Sequence, residues 1–169
     1  ALYYWRTNPS WYILEGGDRN IRSIRKTPRT AAAFRAFDLS EREFGPDPID
    51  ILVPPNPPHC PARFQRHIQQ AQLPAHALYP IRDGIHVVSP EVCFLQMCCS
   101  LPFVEALELG MEFCGTYALR DEDDGGMRRR DYQLMDVESL KRHLDTWSYV
   151  KGLLNARKVA QHLQDGCPI

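Results

Sequence analysis

Residues 84–119 read Gly-Ile-His-Val-Val-Ser-Pro-Glu-Val-Cys-Phe-Leu-Gln-Met-Cys-Cys-Ser-Leu-Pro-Phe-Val-Glu-Ala-Leu-Glu-Leu-Gly-Met-Glu-Phe-Cys-Gly-Thr-Tyr-Ala-Leu. The run Ile85 to Val88, β-branched and set off by Asp83-Gly84, predicts a short buried strand. Ser89-Pro90-Glu91 is a helix start: a hydroxyl to cap, a proline where no N–H is needed, a carboxylate at the positive end of the dipole. Ser100-Leu101-Pro102 restarts the helix, and Gly115 stands where helices commonly end. Val92, Phe94, Leu95, Met97, Leu101, Val104, Leu107, Met111 and Phe113 give this stretch more apolar bulk than any other segment. A buried side chain of that kind contributes about 1.5–3 kcal/mol gross, so a strand feeding a helix pair is expected to form the core.

Outward from this stretch the pattern predicts an α/β fold with a small, partly parallel sheet, crossover helices and a helical C-terminal third. Ile49–Val53 is a second strand, ended by Pro54-Pro55-Asn56-Pro57-Pro58. Pro61 opens an expected short helix with Phe64 and Ile68 four apart, and Ala77-Leu78-Tyr79 is an edge strand. Strand 49–53, helix 61–71, strand 85–88 and helix 90–114 form an expected crossover unit with parallel strands. Upstream, Ala1–Arg6 reads as a helix end or packed arm, Trp11–Leu14 as a short strand, and Ala31–Phe37 as a helix capped by Thr30. Downstream, residues 120–135, with Asp121-Glu122-Asp123-Asp124 and Arg128-Arg129-Arg130, read as a mobile charged surface loop. Asp136 caps a helix bearing Val137, Leu140 and Leu144. A longer helix then carries a stripe from Trp147 to Leu163 and stops at Gly166. The expected organisation is thus a core domain over 1–119, the loop over 120–135, and a helical extension over 136–169 packed on the core.

The 169 residues allow one substantial core. A net charge of -1 and 44% hydrophobic residues describe an ordinary globular chain and argue against a whole-surface nucleic-acid binder. No run is apolar enough to cross a bilayer and no signal peptide is evident, so no membrane partner and a cytoplasmic location are expected. Ala1 in place of a methionine fits a piece of a longer polypeptide. Of the six cysteines, Cys93, Cys98, Cys99 and Cys114 lie in apolar helical sequence and are expected to be free thiols. Cys60 and Cys167, in loop-like sequence, are expected to be the reactive ones.

Motifs for chemistry are sparse. His59, Cys60, His67 and His76 lack the tight ligand pairing of a zinc site. His86 reads as an ordinary strand position, and His143 and His162 as solvated helix positions. There is no Gly-x-Ser-x-Gly elbow, and neither Gly16-Gly17 nor Gly125-Gly126 completes a phosphate loop. Pro46-Asp47 suggests a metal-dependent nuclease pattern, but no lysine occurs between Lys26 and Lys141 to complete it. No catalytic residue, metal ligand or cofactor is therefore assigned. What remains is a basic stretch, Arg19, Arg22, Arg25, Lys26 and Arg29, extended by Arg35 and free of intervening acids from 19 to 35. Most of these positions share a face if helical, limited by Pro28. They are the candidate contact to a partner or to nucleic acid, where arginines grip phosphates and Trp5, Trp11 or Phe34 add stacking. The alternative is a solvated basic face paired with Glu15, Asp18, Glu41 and Glu43.

Three stretches carry a resemblance. Ala1–Arg6, His86–Glu91 and Glu108–Tyr117 resemble actinobacterial proteins distantly similar to abortive-infection antitoxins of the AbiEi type. The resemblance covers residues 1–6 and 77–169. It implies an α/β region that follows a winged-helix segment and precedes an endonuclease-like domain of the Vsr or PD-(D/E)XK sort, with Asp165–Ile169 resembling the junction. No complete winged helix precedes Trp11, so DNA binding is not carried over, and no catalytic residue is transferred. The implied function is a non-catalytic antitoxin-like or regulatory module whose partner is a cognate toxin, another protein or duplex DNA. The alternatives are the accessory portion of a nuclease whose catalytic domain lies outside this chain, and a phage–host conflict effector that acts by binding.

Overall fold

The computed structural model describes residues 2–7, 48–53, 62–68, 72–74, 76–82, 85–119 and 126–166. Helices and strands mix as the α/β reading requires. The order is α1 (Leu2–Thr7), β1 (Ile49–Val53), β2 (Phe64–Ile68), β3 (Leu78–Arg82), β4 (Ile85–Val88), α2 (Pro90–Met97), α3 (Phe103–Cys114), β5 (Tyr117–Leu119), β6 (Met127–Arg129), α4 (Val137–Asp145) and α5 (Leu153–Ala160). Among the described residues the strands form three pairs rather than one sheet.

The expected crossover unit does not form. β1 pairs in parallel with β2, Ile49 facing Phe64 and Val53 facing Ile68. The segment read as a helix on the four-residue spacing of Phe64 and Ile68 is thus a strand. A spacing of four fits one face of a strand as well as one face of a helix, and the backbone ladder decided between them. Asp50 and His67 meet across the pair at 2.6 Å. β4 pairs with β3 instead of β1, antiparallel, with Leu78 facing Val88. Two residues separate these strands in sequence, a distance a hairpin can span and a parallel crossover cannot.

The helical pair lies where the sequence put it. Ser89 Oγ accepts from Val92 N at 3.3 Å, with Pro90 at the first helical position of α2. Gly115 follows α3 as expected, but with extended rather than left-handed backbone. Its glycine is required by space: a Cβ there would lie 2.5 Å from the Tyr117 ring and 2.8 Å from the Met111 carbonyl. α4 is capped by Asp136, whose carboxylate accepts from Ser139 N at 2.7 Å. The last helix begins later than its apolar stripe, at Leu153, because Gly152 takes the left-handed conformation at φ 83° before it. Trp147 and Val150 lie in the preceding turn, outside the helix.

One core joins these elements. Phe94, Phe113, Cys114, Leu140, Ala156 and Val159 are fully buried where α2–α5 meet. α1 belongs to it: Tyr4 and Trp5 are buried, and the Trp5 indole donates to the Val88 carbonyl at 2.9 Å. Trp5 also stands edge-on to Tyr79 at 5.6 Å. The stretch expected to be a surface loop contributes β6, which pairs with β5, and the buried side chains of Arg130, Leu134 and Met135. Residues 120–125, the acidic part of that stretch, lie outside the described residues.

Candidate functional site

The most built polar cluster sits at the C-terminal end of α3. The last carbonyls of any helix lack partners within it and must be met from elsewhere. Here tertiary donors meet them. Arg130 Nη2 donates to the Glu112 carbonyl and to that of Tyr117. Leu134 N donates to Phe113 O at 3.0 Å, and Gly166 N to Cys114 O at 3.0 Å. A guanidinium also suits the negative end of the helix dipole. Arg130 is 8% exposed, and desolvation pushes its guanidinium pKa down against the opposing pull of Glu112.

The Glu112 side chain is 0% exposed and is gripped from the other side by α1. Arg6 Nε donates to both carboxylate oxygens, at 3.0 and 3.2 Å, and Nη2 donates to Oε2 at 2.7 Å. Such a forked contact is the strongest form of charge-assisted hydrogen bond. Arg6, Glu112 and Arg130 therefore tie three distant parts of the chain together: the N-terminal helix, the core helix and the strand pair β5–β6. The cluster can hold geometry and charge. Its carboxylate is already committed to Arg6, so it offers no general base.

A second acidic group flanks the start of α4. Asp136 caps the helix, and Asp165 Oδ1 accepts from Val137 N at 2.9 Å. Glu91 lies nearby, and desolvation holds its carboxyl above the ordinary carboxylate range. Both aspartates are spent on the orphan amides of one helix. No group of three or more metal-capable side chains occurs among the described residues.

The described thiols are free and poorly ionised. Burial pushes Cys93 up to about 11 and Cys98 and Cys114 up to about 12, and raises Cys99 as well. A thiolate, not a thiol, is the nucleophile, so these four are poor ones at neutral pH. His143, read as a solvated helix position, is a correction. Its ring is half-buried against Trp147 at 6.0 Å, and desolvation lowers its pKa to about 4. His162 is exposed, with its ring edge-on to Phe103 at 5.6 Å.

The sequence-predicted contact residues Arg19, Arg22, Arg25, Lys26 and Arg29 lie outside the described residues, as do Cys60 and Cys167. The structure describes the body on either side of the basic stretch. Sequence reasoning missed Arg6, Glu112 and Arg130. One signal for Glu112 was present: it follows Leu109 by three positions and precedes Phe113, on the buried side of α3, where an acid needs a partner. Its partner stands 106 residues away, beyond any periodicity. No helix among the described residues is long and apolar enough to cross a membrane. No family model, curated protein or solved structure matches this chain.

Proposed function

We propose that the chain is a non-catalytic binding module of the antitoxin-like or regulatory kind, acting on a protein partner or on duplex DNA through the stretch Arg19–Arg29. One observation supports this reading above others: the helix that leads into the basic stretch is fastened to the core. Trp5 is buried and bonded to Val88, and Arg6 holds Glu112 with three hydrogen bonds of 2.7, 3.0 and 3.2 Å. The chain re-enters the described body at β1, paired with β2. A binding segment held at both ends loses less conformational entropy on engaging its target than one hanging from a free terminus.

Electrophoretic mobility or fluorescence anisotropy with a duplex, over a salt series, tests the DNA branch. Each arginine–phosphate contact contributes about 0.9 to the log–log salt slope, so Arg22→Glu with Arg25→Glu should reduce that slope by roughly two and weaken binding severalfold. A duplex affinity unchanged in the double variant removes DNA as the target. Co-purification with the product of the adjacent gene then decides whether a protein partner takes its place.

A further inference from the structure

We draw no further inference here: the strongest candidate, the apolar surface patch at the start of α5 where Tyr149 and Leu154 are exposed on either side of the left-handed Gly152, carries no proposal because nothing in the structure shows what covers it.

Discussion

The carboxylate of Glu112 is the residue on which most depends, because a fully buried charge is tolerable only when it is paired and hydrogen-bonded. Arg6 supplies both requirements from the far end of the chain. Removing one partner of a buried pair leaves the other uncompensated and costs about 3–5 kcal/mol, whereas replacing both by apolar or neutral groups is often close to neutral. Arg6 is 25% exposed, which places the expected loss for Arg6→Met near the low end, about 3 kcal/mol. The double variant Arg6→Met with Glu112→Gln should recover most of it. Urea unfolding of the two single variants and the double variant checks this. Equal and additive losses in the singles and double would show that the two side chains act independently. None of this was legible in the sequence beyond the presence of an acid on the buried side of a helix.

At the scale of elements, sequence reading worked where the signal was local. The hydroxyl–proline–acid start of α2, the aspartate cap of α4 and the strands 49–53 and 85–88 all stand where the residues put them. It failed where the partner was remote. Phe64–Ile68 became a strand because β1 offered a parallel ladder, and β4 turned back onto β3 because the connection was too short for anything else. The packing of α3 on α5 is likewise tertiary. Gly110 lets the helices approach: a Cβ there would lie 2.8 and 2.9 Å from the two Leu163 methyls and 3.1 Å from the Phe94 ring. Helix propensity alone makes Gly→Ala favourable by about 1 kcal/mol. Overpacking a well-filled contact costs about 1–3 kcal/mol. The second effect should win, so Gly110→Ala should lower the thermal midpoint, and adding Leu163→Ala should relieve part of the strain. A midpoint raised by Gly110→Ala would show that Leu163 simply moves aside.

Across the whole molecule, the burial of the His143 ring beside Trp147 makes stability depend on pH. His143 is about 4 in the folded protein and 6.5 when unfolded, so the unfolded chain takes up the proton first. The stability this represents is fully present above pH 6.5 and is lost as pH falls toward 4. Each unit of difference corresponds to about 1.4 kcal/mol, so the loss has a ceiling of about 3.5 kcal/mol over that window, reduced by the partial exposure of the ring. His143→Gln should show a shallower fall in unfolding free energy between pH 6.5 and 4 than the wild type. Parallel pH profiles for the two would place the acid sensitivity elsewhere.

Periodicity, caps and composition by themselves determined the α/β class, the core segment 85–114 and the free thiols within it, because each is written in residues a few positions apart. The partners of the strands, the fastening of α1 through Arg6 and Glu112, and the lowered pKa of His143 were decided only by tertiary structure. Strand partners lie beyond the reach of a local pattern and Arg6 stands 106 residues from Glu112, while burial, which sets the energy of a charge, is a property of the packed molecule rather than of any stretch of it.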